Sequence, residues 1–405
     1  MPKVLVLTYH FPPSAASGTF RLLGFAQHLP GYGWNTLVVA PPSLPWEPDD
    51  PALLARVPPE TIVYRVPYPR HLPRAVRWLA PWGVWLPYAR AAVRRAVLEH
   101  RPDVVLTSGP PHGIHLLGRF AQRCYGLPWL ADFRDPWVVV EGFTRPATWK
   151  ARCELHLERQ VMRHADAVLA NAPRACSLIQ AAHRAFAGKM SVLTNGFDPD
   201  AFPEGERPSS APPLVRILHA GQLYSGRDPR PLLDAVASVG ADAPPFRLEF
   251  LGRTEYAKGA DLAGEAQKRG IASRIVCRGQ LGYQDSLREM CRADILLLMD
   301  SPGRRVGVPA KLYEYLGAGR PVLATGEDDG DTAAILRESG AAHRIVPCND
   351  PARIRQGLLE LVGGVASGDI GNAASAQRLR FSRSALAGRL AATLDDLVAR
   401  RRRRG

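Results

Sequence analysis

At 405 residues, with 46% apolar and 22% charged side chains, the chain is too long for one ordinary core and too apolar to be disordered. Six dispersed cysteines without a CxxC pair argue against a zinc site or a disulfide framework. A formal charge of +14 favours polyanionic partners: nucleic acid, an anionic membrane face or phosphorylated substrates.

The chain opens on Val4–Leu7, an apolar run that meets a polar residue at once. It reads as a first β-strand, too short for a signal peptide or a spanning helix. Further strands are predicted at Thr36–Ala40, Thr61–Val66, Asp103–Thr107, Trp129–Asp132, Ala167–Ala170 and Ser191–Leu193, with Leu22, Leu23, Ala26 and Leu29 at helical spacing after the first. Residues 200–213, rich in Pro, Ser and charge, read as a linker. A second series follows at Val215–His219, Arg247–Leu251, Arg274–Cys277, Ile295–Met299 and Pro321–Ala324. Short apolar runs alternating with longer helical patterns predict two Rossmann-like doubly wound α/β domains, 1–199 and 214–380. Ligands are then expected at the carboxyl ends of the strands, in a cleft where the domains face each other. Residues 381–405 form a last helix and an Arg-rich tail, with Leu386, Leu390, Leu394 and Leu397 on one packing face, expected against the first domain.

Four stretches carry candidate chemistry. The loop His10–Gly18 ends in Ser17 and Gly18 before a helix, a turn whose small residues let backbone N–H groups approach an anion; it equally suits a plain strand-to-helix turn. Past two neighbouring strands lie Ser108–His112 and Asp132–Trp137, bringing His112, Asp132, Arg134 and Asp135 to strand ends; Arg134 and one Asp pairing to cap a loop is the alternative. Gly221–Arg227, with Gln222 inside it, is a glycine-bracketed turn ending in a cation, suited to a diphosphate. The stretch Gly307–Ala324, with Val308, Lys311 and Glu314, sets a carboxylate in a short helix, where it can accept from a ribose's vicinal hydroxyls.

These stretches resemble the retaining GT-B glycosyltransferases of family 4, which build bacterial exopolysaccharides, cell-wall glycans and lipid-linked sugars. The likeness runs nearly end to end, through YHFPPSAASG, PDVVLTSGPP, WLADFRDPW, VLTNGFDPDAF, ILHAGQLYSGR and, most specifically, KLYEYLGAGRPVLA. It implies that Glu314 binds the donor's ribose and that Arg227 and Lys311 meet its diphosphate. Gly221, Gln222, Gly307 and Val308 would line the rest of the donor, with Gly279 and Leu281 at the base. Gln222 stands where the family offers an Arg. Val306 stands where many members carry the first Glu of an E-x7-E pair. Either backbone amides of 303–307 hold the sugar instead, with Arg304 and Arg305 of the same loop replacing some diphosphate charge, or transfer activity is lost or the donor is an unusual one.

The resemblance implies front-face displacement with retention, with the departing phosphate oxygen taking the acceptor's proton. His112 or Asp132 would then position a sugar. No DxD-type pair stands in a suitable loop, so neither a metal nor a further cofactor is expected beyond the nucleotide sugar; Asp328, Asp329 and Asp331 read as capping. Between Tyr64 and Arg101 the sequence is dense in Arg and aromatics, among them Arg70, Arg74, Trp78, Trp82, Trp85, Arg90, Arg94 and Arg95. That composition suits an anionic membrane surface, or else a core with a solvated basic face. The expected protein is cytoplasmic and peripheral on the inner face of the plasma membrane, moving a hexose from a UDP donor to a lipid-linked or polysaccharide acceptor, with no nucleic-acid partner. A catalytically inactive scaffold and a nucleotide-sugar epimerase are the alternatives.

Overall fold

The computed structural model describes residues 1–43, 47–69, 83–140, 148–203, 214–223, 226–257, 260–370 and 376–403. Most of the predicted linker, 204–213, lies outside them, as do Tyr224 and Ser225 of the diphosphate loop, the stretch from Arg70 to Trp82, and Arg404. The chain divides into two compact units: Met1–Asn195 together with Arg383–Gly405, and Gly196–Ser382.

The first unit holds a seven-stranded sheet in the order β3-β2-β1-β4-β5-β6-β7. Its strands are β1 (Lys3–Thr8), β2 (Asn35–Ala40), β3 (Ile62–Arg65), β4 (Val104–Gly109), β5 (Trp129–Phe133), β6 (Ala167–Ala170) and β7 (Met190–Val192). Every pairing is parallel. Both faces are covered, which is why these strands read as continuous apolar runs without alternation. On one face Leu5, Leu7, Val105 and Trp129 pack against the helices Leu86–His100, His115–Tyr125, Trp149–His164 and Pro173–Ala182. On the other, Val4, Val6, Leu106 and Leu130 meet the Ser17–His28 helix and the Arg383–Arg402 helix. Leu386, Leu390, Leu394 and Leu397 are all buried there, so the last helix is part of the first unit's core.

The second unit repeats the plan with a six-stranded sheet, β12-β9-β8-β13-β14-β15. These strands are β8 (Val215–Ala220), β9 (Phe246–Leu251), β12 (Ile275–Gly279), β13 (Ile295–Met299), β14 (Val322–Thr325) and β15 (His343–Val346), with a small β10–β11 hairpin (Glu255–Ala257, Ala260–Asp261) outside the sheet. The helices Arg230–Ala237, Leu262–Lys268 and Pro351–Ser367 cover one face, and Tyr283–Arg292, Ala310–Ala318 and Asp331–Ser339 the other. Both sheets reverse strand order beside their first strand, between β1 and β4 and between β8 and β13, the crevice where doubly wound folds take ligands. Phe197 and Phe202 pack edge to face at 6.0 Å and close over Gly317, which ties the start of the predicted linker to the second unit. No helix among the described residues is long and apolar enough to cross a membrane.

Candidate functional site

In the second unit, four loops gather at the carboxyl edge of the sheet. Gly252 follows β9 at φ 123°, where a Cβ would sit 2.4 Å from the Gly221 carbonyl oxygen, and its amide donates to Gly279 O at 2.7 Å. A Cβ on Gly226 would come within 3.0 Å of Ser301 Oγ, after β13. The glycines therefore draw Gly221, Gln222, Gly279 and the Arg227 turn into one edge, with Leu281 exposed beside them. Beneath Gly221 lies His219, 2% exposed, its Nδ1 bonded to Leu297 O at 2.9 Å and its Nε2 without a partner among the described residues. Burial, joined by the charges of Arg227 and Lys311 and opposed by the Leu297 hydrogen bond, lowers its pKa to about 4. Two cations, one from the Arg227 turn and one from the Ala310–Ala318 helix, thus act on one buried ring at the strand's end.

The Ala310–Ala318 helix buries Leu312, Tyr313, Tyr315 and Leu316 and leaves Lys311 and Glu314 on its other face, where Lys311 Nζ meets Glu314 Oε2 at 2.6 Å. Tyr315 fixes the helix to the switch point: its hydroxyl accepts from Ala220 N at 2.9 Å and donates to Leu297 O at 3.1 Å. At the helix's far end Arg378 Nη1 donates to Leu316 O and Gly317 O, at 2.9 and 2.8 Å. A guanidinium there satisfies orphan carbonyls and suits the negative end of the helix.

The loop preceding this helix is already bonded internally. Arg304 pairs with Asp300 at 3.1 Å, and Arg305 with Glu327 and Asp329 at 3.3 and 2.9 Å. The expectation that these two arginines supply diphosphate charge is therefore corrected: carboxylates hold both. The amides of Gly303, Arg304 and Gly307 are taken as well, by Glu327 Oε1, Ser301 O and Asp331 Oδ2. Asp331 is buried against the Gly307 turn, and Gly330, not an aspartate, is the N-cap of the helix that follows. Val308 is partly buried just after this turn.

In the first unit the strand ends look different from what the sequence suggested. Asp132 is fully buried, and Arg21 of the first helix grips both its oxygens at 3.0 and 2.9 Å while Ser108 Oγ donates at 2.8 Å. Arg21 also reaches Thr194 O and Leu193 O, so the pair clamps the first helix to β5 and to the chain after β7. Asp132 is thereby corrected from a sugar-facing group to a structural anchor, and its cation is Arg21, not Arg134. Sequence reasoning missed Arg21 because a charged residue beside Leu22 and Leu23 reads as part of a solvated face. Arg134 is 7% exposed and donates to Gly109 O and Pro110 O. Its guanidinium lies where a Cβ on Gly18 would be, 1.3 Å from Nη1. Burial lowers its pKa, against which Asp132 and Asp135 act. Ser17 opens the helix, exposed, with no side-chain cap and no acid in the first turn. A buried guanidinium against an uncapped helix N-terminus suits an anion. Asp135 is exposed beyond it.

His112 sits on β4's edge, 9% exposed, stacked on Trp137 with ring centroids 5.1 Å apart. Burial, then Arg134, lowers its pKa to about 3, so the ring is neutral. Trp85 is core: fully buried, 4.9 Å from the Tyr9 ring and bonded to Val66 O. That corrects its place in the predicted surface. Arg90, Arg94 and Arg95 do lie on the exposed face of their helix, with Arg95 held by Glu99 at 2.7 Å. Among the described residues no group of three or more His, Cys, Asp or Glu is placed to hold a metal ion.

Two family models match the chain in tandem: a glycosyl transferase 4-like domain over residues 19–196 and glycosyl transferases group 1 over 215–363. Curated relatives include the D-inositol 3-phosphate glycosyltransferase of Streptomyces scabiei, 27% identical over 48% of this chain and 46% of its own. D-inositol 3-phosphate glycosyltransferase 2 of Catenulispora acidiphila is 26% identical over 70% of this chain and 64% of its own. The chain spans about half the length of the first curated relatives it matches. Among solved structures, sucrose-phosphate synthase of Thermosynechococcus elongatus superposes with a TM-score of 0.66 at 16% identity, covering 98% of this chain and 100% of that one. Anabaena HepE in complex with UDP-glucose gives 0.61 at 17% over the same shares. At these identities the structures speak for the fold alone.

Proposed function

The chain belongs to the glycosyltransferases of GT-B fold, and we propose that it moves a hexose from a UDP-type nucleotide sugar, with retention, onto a lipid-linked or polysaccharide acceptor. The observation that carries this reading is the Ala310–Ala318 helix, which presents Lys311 and Glu314 beside the Arg227 turn at the second sheet's switch point. Glu314 takes the ribose hydroxyls, releasing Lys311, and Lys311 with Arg227 meets the charge that grows on the departing diphosphate. These cations fill the place a metal would hold. Gly279 and Leu281 lie where the base would sit, and Gly221 and Gln222 line the phosphates. With Val306 lacking a carboxylate and the Gly307 amide held by Asp331, the donor sugar's contact in this loop falls to Val308. In the first unit, Ser17, Gly18, Arg134 and Asp135 make the acceptor-side or phosphate loop, and His112 positions a sugar. The glycosyl transfer for which the curated relatives are named supports the chemistry. The exposed arginines of the Leu86–His100 helix support docking on the inner face of the plasma membrane.

The test is a thermal-shift panel of UDP-, GDP-, ADP- and TDP-sugars on the full chain and Glu314→Ala, in EDTA. One nucleotide class at about 100 times its dissociation constant is expected to stabilise the wild type by roughly 2.7 kcal/mol. Glu314→Ala should remove most of that shift. No shift with any nucleotide sugar, with a shift from anionic lipid or RNA alone, would favour a non-catalytic scaffold.

A further inference from the structure

The two sheets differ at the point where their strand order reverses. In the first, β1 stays laddered to β4 from Val4 beside Val104 through Thr8 beside Ser108. In the second, β8 pairs with β13 only at Ile217 beside Ile295 and Leu218 beside Leu296. Neither strand ends there: β8 runs on along β9 to Ala220 beside Leu251, and β13 along β14 to Met299 beside Thr325. The opening between β8 and β13 is therefore no requirement of a doubly wound sheet.

Side chains fill that opening. Gly221 N donates to Leu251 O on the β9 side, so by alternation Ala220 N faces β13, and the register sets Leu297 O opposite it. The ladder does not reach that far. The Tyr315 hydroxyl stands between the two instead, accepting from Ala220 N at 2.9 Å and donating to Leu297 O at 3.1 Å. His219 Nδ1 gives Leu297 O a second donor at 2.9 Å, so both lone pairs of that carbonyl are used. Tyr315 is fully buried, and one ladder bond has become two in series through its oxygen. The inserted hydroxyl holds β8 and β13 apart at the residue before Gly221.

The helix that supplies this hydroxyl carries Lys311 and Glu314 on its open face, and Gly221 opens the diphosphate turn. We propose that Tyr315 is a positioning residue for the donor: its hydroxyl sets the distance between Glu314 and the Gly221 turn, and so the span into which a nucleoside diphosphate fits. This rests on the glycosyltransferase reading, in which the ribose lies on Glu314 and the phosphates at Gly221 and Gln222. A ligand gripped at both ends needs that span set before it arrives, because a site fixed in advance has less to order on binding. A ligand gripped at one end only is indifferent to it.

Tyr315→Phe deletes one oxygen and leaves Leu297 O its bond from His219, so the variant is expected to fold. UDP, GDP and ADP are titrated into the full chain, wild type and variant, each beside its 2′,3′-dideoxy form, which offers Glu314 no hydroxyl. The nucleotide that the wild type binds should lose about tenfold in affinity in the variant. Its dideoxy form, no longer gripped by Glu314, should lose about twofold or less, the non-additivity expected of coupled contacts. Tyr315→4-aminophenylalanine, which returns a donor to Leu297 O, should recover most of the loss. Equal losses for the two forms mean that Tyr315 only stabilises the fold, and no loss for either means that the brace does not set the span; each result overturns the proposal. Tyr315→4-fluorophenylalanine keeps the volume without the proton and is read the same way if the phenylalanine variant does not fold. A wild type that binds none of the three nucleotides sinks the donor-site reading itself, and the role of Tyr315 with it.

Discussion

A buried imidazole ties this protein's stability to pH. His219 titrates near pH 4 in the fold and near 6.5 unfolded, so between those values the unfolded chain binds the extra proton. Stability is therefore fully present above about pH 6.5 and is lost as pH falls toward 4. Full expression of that shift is worth about 3 kcal/mol. Urea denaturation from pH 7.5 to 4.5 should show a slope that His219→Gln flattens; an unchanged slope would remove His219 from the account. The Arg21–Asp132 pair makes a sharper demand. Both partners are buried, so Arg21→Met leaves a carboxylate beside Ser108 without the cation that grips it. Breaking such a pair costs about 3–5 kcal/mol. Calorimetry of the variant should show a large drop in melting temperature, and a drop of a degree or less would mean that Asp132 protonates or finds water instead.

The helix that carries Lys311 and Glu314 is held by small residues and remote partners as much as by its own sequence. A Cβ on Gly317 would lie 2.2 Å from the Phe202 ring and 3.0 Å from Phe197. Overpacking of this kind costs about 1–3 kcal/mol and shifts what it presses against. Gly317→Ala should lower the melting temperature and weaken nucleotide binding together; full-strength binding would detach the seat of this helix from its function. The motif's carboxylate and cation were legible because local spacing alone places them on one face. Gly317 was legible only as a small residue, since what it approaches, Phe202 and Phe197, comes from more than a hundred positions away. Strands that are covered on both faces, such as Ile295–Met299, announce themselves, and all twelve predicted strands appear. β15 went unseen because HRIV is short and half polar at a sheet edge. Arg21, His219 and Arg378 were illegible as partners for the same reason as Gly317: each acts on an element distant in sequence.

Charge acts at the scale of the whole molecule. The excess of 52 Lys+Arg over 38 Asp+Glu gives a long-range attraction to anionic surfaces that salt screens within about 8 Å at physiological strength. Sedimentation with phosphatidylserine vesicles should bring the protein down at low salt and release it progressively as salt rises, while neutral vesicles leave it in solution. Salt-independent pelleting would point to inserted apolar groups, and no pelleting would end the membrane reading. The order of the chain has a further consequence. The second unit is an insertion within the first, whose sheet faces stay incomplete until Leu386, Leu390, Leu394 and Leu397 arrive. Each buried leucine contributes roughly 1.5–3 kcal/mol, so the helix is a large share of that core. During synthesis the half that leaves the ribosome first is thus the half that finishes last. It waits with an apolar strip uncovered while 187 residues of another fold, Gly196–Ser382, emerge and close on themselves.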